Sequence, residues 1–161
     1  MTIITPSTAP VLRAASVEDT EAIQALLVAT GLPTDGVAEL LASDASQFVV
    51  GVAPGAGAEL VAVAGLEMCC DSALLRSVAV REDWQRHGLG HQLVKRVVCE
   101  AESRGINALY LLTMTAEHYF PRFGFETIAR EAVPAEIANT LEFKSACPAS
   151  ATAMMRTLLP A

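Results

Sequence analysis

Hydrophobic and polar residues follow two different periods along the chain, and the changes of period mark the predicted elements. Short apolar runs rich in β-branched residues predict strands, and apolar residues that recur every three to four positions predict helices. Strands are predicted at residues 11–16, 46–53, 59–70, 72–80, 107–114, 125–130 and 151–158. Helices are predicted at residues 16–31, 37–42, 88–103, 115–123 and 133–143. Three strands in a meander, then a helix and a further strand, predict a mixed α/β sheet with one β–α–β crossover.

The junction between the strand at 72–80 and the helix at 88–103 carries the sequence SVAVREDWQRHGLGHQLV. Gly88 and Gly90 lie where the helix begins, and Arg86 and His87 precede them. The first N–H groups of a helix have no partner within the helix, and the helix dipole makes this end partly positive. Glycine leaves these donors uncovered, so the junction predicts a phosphate or pyrophosphate site. A tight turn that binds no ligand is the alternative, since the P-loop and dinucleotide motifs are absent.

Composition limits the kind of protein and its partners. The 161 residues suit a single domain, expected over residues 11–161, and 52% hydrophobic against 18% charged residues predicts a folded chain. A net charge of −7 argues against nucleic acid as the main partner. The sequence contains no apolar run long enough to cross a membrane, and residues 1–10 lack a signal-peptide pattern. We expect those ten residues to form a flexible arm.

The positions of the cysteines indicate the redox compartment of the protein. Four of them lie inside apolar or helical patterns and lack zinc spacing: Cys69, Cys70, Cys99 and Cys147. They are predicted to be buried, reduced thiols in a cytoplasmic protein, and no metal site is predicted. Cys69 and Cys70 would point to opposite faces of a strand, which makes them a poor chelating pair.

The central junction and its surroundings resemble the GNAT superfamily of N-acetyltransferases. Residues 85–90 match the Q-x-x-G-x-G form of the family signature, after an apolar strand and before a long helix. The segment LYLLTMTAEHYFPRFGF resembles the strand–helix–strand that follows in that fold. The resemblance covers roughly residues 11–158. It implies the GNAT fold, a central mixed sheet with helices on both faces, and an N-acetyltransferase that takes its acetyl group from acetyl-CoA.

The resemblance also implies which residues bind the donor. In the family, backbone N–H groups of the signature loop bind the pyrophosphate, and the strand before the loop bonds the pantetheine arm through its main chain. The corresponding residues here are Gln85, Arg86, His87, Gly88, Leu89 and Gly90 in the loop, and Val78 and Val80 in the strand.

Two positions depart from the family pattern. Many relatives carry a helix tyrosine that protonates the leaving thiolate, with an asparagine seven residues earlier; Phe120 and Thr113 stand at these positions. The Thr113 hydroxyl is expected to bond the donor arm. Tyr119 is the candidate acid, although one step along a helix turns a side chain by about 100°, and a packing aromatic is the alternative. The missing tyrosine also leaves open a non-catalytic acyl-CoA sensor, and a different phosphate-ligand enzyme is a third possibility.

Lone charges in apolar strands supply the acceptor-site candidates. Glu67 is expected to remove the ammonium proton of the amine, or else to face outward. Arg76 is expected to hold an acceptor carboxylate, sharing a face with Val78 and Val80 if the strand has no bulge, or else to pair with an acid such as Glu67. His118 is expected to line the acceptor site, or else to face solvent.

Some GNAT relatives fit more closely than the superfamily as a whole. The segments ALLRSVAV and LEFKSACPASA resemble the acetyltransferases of bacterial arsenic-resistance operons, which in turn resemble the acetyltransferase domain of N-acetylglutamate synthases. This resemblance implies a small, anionic, amino-acid-like acceptor. Family members often pair through their C-terminal strands, which implies a homodimer.

Overall fold

The computed structural model describes residues 10–55, 57–86, 88–146 and 150–158, of which 145 and 146 in backbone only. His87, Cys147 and all but the last residue of the expected arm lie outside them. The strands are β1 Val11–Ala14, β2 Ser46–Val52, β3 Leu60–Cys69, β4 Ser72–Val80, β5 Ala108–Thr113, β6 Glu126–Ile128 and β7 Thr152–Thr157. The α-helices are α1 Thr20–Ala29, α2 Val37–Leu41, α3 Leu89–Ser103 and α4 Ala135–Ala138. No helix of the described chain is long and apolar enough to cross a membrane.

The seven strands of the described residues form one sheet in the order β1-β2-β3-β4-β5-β7-β6. Neighbouring strands are antiparallel except β4 and β5, which α3 connects. These two strands pair only where Ser72–Leu74 meet Ala108–Tyr110. Beyond these pairs β4 and β5 separate, and the sheet opens on the side where both strands end.

Helices cover both faces of the sheet, as predicted. On one face α3 buries an apolar stripe that includes Leu93, Val94 and Val97. On the other face α1 and α2 pack over β2–β4, and α4 packs near β5 and β7. Close packing within the sheet requires glycine at position 65, because a Cβ on Gly65 would lie 2.6 Å from the ring of Phe48.

A β-bulge interrupts β4. Val63 pairs with Ala79 and Gly65 pairs with Arg76, so one residue of β3 faces two residues of β4. Ser77 within the bulge has a φ of +57°. The extra residue places Arg76 and Val78 on opposite faces: Val78 packs on the α3 side, and Arg76 faces the loop before α2. The shared face expected for a regular strand is therefore not formed.

Three local predictions were wrong. Residues 115–123 form a turn and a 3₁₀ turn, Phe120–Phe123, because Pro121 and the left-handed Gly124 limit the segment to one turn. The helix predicted at 133–143 is shortened to α4 and followed by a π-helical turn, Glu142–Ala146. Cys70 and Cys99 are exposed, because they lie in the β3–β4 turn and on the outer side of α3, and Cys69 is only half-buried. All three are free thiols, as predicted.

Candidate functional site

A cavity of about 870 Å³ lies where β4 and β5 separate. Its walls come from β4, the end of β5 with the following turn, and two opposite regions that define its ends. The helix end is formed at the start of α3 by Gln85, Arg86 and Gly88–His91. The arginine end is formed by Arg76, Glu142 and the loop Thr30–Pro33.

The helix end presents backbone donors that no described side chain caps. Gly88 caps α3 with a φ of +77°, none of the described side chains bonds to this terminus, and a Cβ on Gly88 would meet nothing within 4 Å. The Gln85 amide donates to the Val80 carbonyl at 2.9 Å, which fixes the loop to the end of β4. The fifteen-residue helix adds its dipole at this point. The helix end can therefore hold an anion such as a phosphate.

The donor residues predicted from the signature that lie in the described chain all line this cavity. They are Val78, Val80, Gln85, Arg86, Gly88, Leu89 and Gly90, with Thr113 on the opposite wall. Thr113 Oγ1 accepts the N–H of Ala116 at 2.9 Å and so turns the chain after β5. Its hydroxyl still has a proton to donate. Binding of the donor by these residues stays a prediction.

Tyr119 reaches the helix end. A Cβ on Gly90 would lie 3.2 Å from the Tyr119 hydroxyl and 3.6 Å from Val80 Cγ2. The expected rotation away from the cavity does not apply, because Tyr119 precedes the 3₁₀ turn and is not part of a helix. The Arg122 guanidinium lies 4.4 Å above its ring. Burial raises the pKa of Tyr119 above its ordinary value near 10, so the hydroxyl is protonated at neutral pH.

Phe120 lies behind Tyr119 in the wall of the cavity. It is 7% exposed and packs edge-on against Tyr119 and Phe125. An aromatic ring without a hydroxyl cannot donate a proton, so at this position the chain provides only a packing surface.

At the arginine end, a buried guanidinium lies between two carboxylates. Arg76 is 3% exposed. Its Nη1 donates to Glu67 Oε1 at 3.4 Å, and its Nε lies 3.5 Å from Glu142 Oε2. Its Nη2 donates to the Asp35 carbonyl at 2.7 Å and its Nε to Ser77 Oγ at 3.2 Å. The ion pair with Glu67, the alternative interpretation of Arg76, is formed, and Arg76 lines the cavity as well.

Two predicted acceptor-site residues do not line the cavity. Glu67 faces Arg76 from β3 and is not part of the cavity wall. The His118 side chain is 94% exposed and lies 3.9 Å from Glu117, which matches the solvent-facing alternative. The catalytic role of Glu67 and the binding role of His118 stay predictions.

Glu142 is the residue at this end that sequence reasoning missed. It is 6% exposed, lines the cavity and contacts Arg76 from the π-helical turn. A lone acid between the apolar Leu141 and Phe143 was the available signal. Among the described residues no group of His, Cys, Asp and Glu side chains could hold a metal ion.

The chain belongs to the GNAT acetyltransferase family. The family model described as "Acetyltransferase (GNAT) domain" matches residues 44–127, which is more than half of the chain. This match confirms the family identified from the signature loop.

Curated relatives carry a more specific name. The chain is 28% identical over 148 residues to an amino-acid acetyltransferase of Pseudomonas putida (strain GB-1) and 29% identical over 138 residues to one of Ectopseudomonas mendocina (strain ymp). The matches cover 89% and 83% of this chain but 34% and 31% of the relatives. The chain thus spans about a third of the length of these curated relatives.

Solved structures confirm the predicted fold class. A GNAT-family acetyltransferase from Staphylococcus aureus Mu50 matches with a TM-score of 0.78 at 14% identity, covering 94% of this chain and all of the other. Rv2747 from Mycobacterium tuberculosis, solved with coenzyme A, matches with a TM-score of 0.75 at 24% identity over 93% of this chain and all of the other. N-acetylglutamate synthase from Neisseria gonorrhoeae, complexed with coenzyme A and N-acetyl-glutamate, matches with a TM-score of 0.76 at 19% identity over 96% of this chain and 36% of the other.

Proposed function

We propose that the protein transfers an acetyl group from acetyl-CoA to the amine of a small amino-acid-like acceptor that carries an anionic group. The observation behind the proposal is a single cavity that joins uncovered helix donors at one end to a buried arginine between carboxylates at the other. The first end suits a pyrophosphate, and the second suits a small molecule with both positive and negative groups.

The donor would lie along β4. The N–H groups at the start of α3 would hold the pyrophosphate, and the strand edge exposed beyond Leu74 would bond the pantetheine arm. Neither Gly88 nor Gly90 has a side chain, so the phosphate oxygens have room to approach the backbone N–H groups. The bulge would bring the main chain around Ser77 to the acetyl group.

The acceptor amine has to lose a proton before it attacks. The neutral nitrogen then bonds to the acetyl carbon, the C–S bond breaks with its electron pair passing to sulfur, and the amide nitrogen loses a second proton. A carboxylate beside Arg76 is suited to take the first proton. Three of the five N–H groups of Arg76 donate to Ser77 Oγ, Glu67 Oε1 and the Asp35 carbonyl. At most two N–H groups therefore remain for an acceptor carboxylate.

The leaving thiolate does not require a tyrosine acid in this proposal. Phe120 has no proton to give, and the Tyr119 hydroxyl lies beside Gly90 and Val80 at the helix end. A thiol has a pKa of roughly 8.5, so the thiolate is a tolerable leaving group that water can protonate. We propose that Tyr119 binds the donor, and its role as acid is the competing hypothesis.

The names of relatives support an amino-acid acceptor. Curated relatives are called amino-acid acetyltransferases, and one structural neighbour was solved with N-acetyl-glutamate. Arsenic- or phosphorus-containing amino-acid analogues are a narrower form of the same proposal, motivated by the resemblance to arsenic-operon acetyltransferases. We further propose that the protein is cytoplasmic, which the free thiols support. We also propose that it forms a homodimer, because family members often pair through their C-terminal strands.

The test is release of free CoA from acetyl-CoA with a panel of amines. The panel contains glutamate, aspartate, their arsenic- and phosphorus-containing analogues, and lysine as a cationic comparison. Cys70 and Cys99 are exposed and would react with a thiol reagent, so products are measured by mass spectrometry. Turnover with acidic amino acids is expected. Binding of acetyl-CoA without turnover across the panel would favour the sensor, and failure to bind acetyl-CoA would overturn both.

A further inference from the structure

Ser77 has a backbone conformation that residues in strands rarely adopt. It lies at the bulge in β4 with a φ of +57°, and it forms part of the cavity wall. A residue other than glycine is strained in this left-handed region, and strained residues cluster at functional sites. The strain therefore points to a function for Ser77 in the cavity.

The hydroxyl of Ser77 is bonded to a cation and still has a proton to donate. Ser77 Oγ accepts the N–H of Arg76 Nε at 3.2 Å. A serine hydroxyl can accept and donate at the same time, and no described residue accepts the Ser77 proton. A hydrogen bond from a guanidinium draws electron density from the oxygen, which makes the O–H a stronger donor. The cavity wall thus contains a polarised hydroxyl donor beside Arg76.

The position of Ser77 decides which atom of the acetyl donor its proton can reach. With the pyrophosphate at the start of α3 and the pantetheine arm along β4, the sulfur lies on the helix side of the acetyl group. The acetyl group is then the part of acetyl-CoA closest to the arginine end, where Arg76 holds the Ser77 hydroxyl. The Tyr119 hydroxyl lies at the other end, beside Gly90. Of these two hydroxyls, that of Ser77 is the one beside the acetyl group.

We propose that the Ser77 hydroxyl donates a hydrogen bond to the acetyl carbonyl oxygen, which makes Ser77 a catalytic residue of the transfer. When the amine nitrogen bonds to the acetyl carbon, an electron pair of the C=O bond moves to this oxygen, and the hydrogen bond strengthens as the charge develops. The pair returns when the C–S bond breaks, and Ser77 keeps its proton throughout. The inference rests on the proposed function, because it names a group that stabilises the transition state of that reaction.

Two pairs of side chains at position 77 separate the effect of the hydroxyl from that of backbone strain. The wild type and Ser77→Gly differ in the hydroxyl where strain is not increased, because glycine adopts a positive φ freely. Ser77→Thr and Ser77→Val differ in the hydroxyl at equal strain, because both side chains are β-branched and nearly the same in shape.

The turnover rate is expected to follow the hydroxyl in both pairs. Removal of one donor to an oxyanion costs roughly 10²-fold in kcat, which is the fall expected for Ser77→Gly. Ser77→Val is expected to have a kcat roughly tenfold or more below that of Ser77→Thr. The Kd for acetyl-CoA should differ by less than about threefold within each pair, because the hydrogen bond is strongest in the transition state.

Steady-state kinetics also separate catalysis from support of Arg76. If Ser77 only positions Arg76, Ser77→Gly raises the KM for the acceptor and leaves kcat unchanged. Equal kcat values for Ser77→Thr and Ser77→Val would assign the loss to strain. Either result overturns the inference. Ser72→Ala is the matched control, because Ser72 is a buried serine of β4 that does not line the cavity, and it is expected to keep the wild-type kcat.

Infrared spectroscopy of bound acetyl-CoA, isotopically labelled at the carbonyl carbon, tests the contact without turnover. A hydrogen bond to the oxygen weakens the C=O bond, so the stretching frequency is expected to be higher in Ser77→Gly than in the wild type. Turnover in the wild type with the same frequency in both proteins would overturn the inference alone. Failure of the wild type to bind acetyl-CoA, or binding without turnover, would overturn the proposed function and the catalytic role together.

Discussion

At the scale of single residues, Tyr119 differs most from its expectation. An α-helix would have turned it about 100° from Phe120, but the chain is still in a turn at this point and both rings line the cavity. Its hydroxyl reaches Gly90 at the helix end of the cavity. The reacting groups are expected near Arg76 and Ser77, three to four residues before Val80 at the end of β4. The position of the hydroxyl therefore favours donor binding over proton transfer.

The substitution Tyr119→Phe distinguishes these two roles. We expect the Kd for acetyl-CoA to rise by roughly three- to tenfold, the loss of one hydrogen bond, with kcat changed by less than about twofold. Because burial raises the pKa of Tyr119, the hydroxyl keeps its proton as pH rises and the wild-type Kd should be flat from pH 7 to 9. Calorimetry and steady-state kinetics measure these quantities.

Tyr110→Phe is the matched control, since Tyr110 is buried near α4 and does not line the cavity. It is expected to leave donor affinity unchanged. A general acid contributes roughly 10²- to 10⁴-fold to the rate. A fall of kcat in that range for Tyr119→Phe, with unchanged donor affinity, would restore Tyr119 as the acid.

At the scale of elements, the bulge in β4 decides which side chains meet the cavity. Ser77 holds a φ of +57°, a conformation that β-branched residues rarely adopt. Ser77→Val is expected to lower the free energy of unfolding by about 1–3 kcal/mol, the usual cost of such a strained residue. Urea denaturation gives the value.

Ser77→Gly is the companion variant, because glycine adopts this conformation without strain. It loses the hydroxyl that accepts from Arg76 Nε but keeps the bulge. We expect its free energy of unfolding to lie above that of Ser77→Val. Equal stabilities would mean that the bulge is not required, and a straight strand would then turn Val78 and Val80 to the other face.

The same bulge explains how far the sequence predicts the fold. Hydrophobic periods and Gly/Pro breaks predicted each strand that the described residues form, the crossover helix and the mixed sheet, because these depend on local patterns. Alternation in SALLRSVAV is compatible with both a regular and a bulged strand, so the bulge was not predictable. The helix predicted at 115–123 does not form, because Pro121 and Gly124 allow only one turn.

The two ends of the candidate site also differ in how far the sequence predicts them. The helix end is contiguous in sequence, so its loop could be identified from one motif. The arginine end joins β4, the loop after α1 and the π-helical turn, which meet only after folding. Arg76 and Glu67 were identifiable as lone charges in strands. Glu142 is also a lone acid between apolar residues, but it follows an irregular segment whose position no local pattern predicts.

At the scale of the whole molecule, the opening between β4 and β5 links donor binding to stability. Only three residue pairs join β4 to β5. The part of the sheet formed by β1–β4 therefore pairs with the part formed by β5, β7 and β6 over a short distance. A donor that lies along β4 and contacts the start of α3 would add contacts where β4 and β5 separate. Such a ligand binds the folded chain alone, and binding therefore stabilises the fold.

Acetyl-CoA at 100 times its Kd is expected to add about 2.7 kcal/mol to the free energy of unfolding, seen as a rise in Tm. ATP and NAD lack the pantetheine arm and are expected to raise it less. Gly90→Val places a branched side chain against the Tyr119 hydroxyl, whose distance from the Cβ position is already 3.2 Å, and should abolish the shift. Gly90→Ala adds only a methyl group and should keep most of it. An equal shift with ATP or NAD, or a full shift in Gly90→Val, would remove the helix end as the acetyl-CoA site.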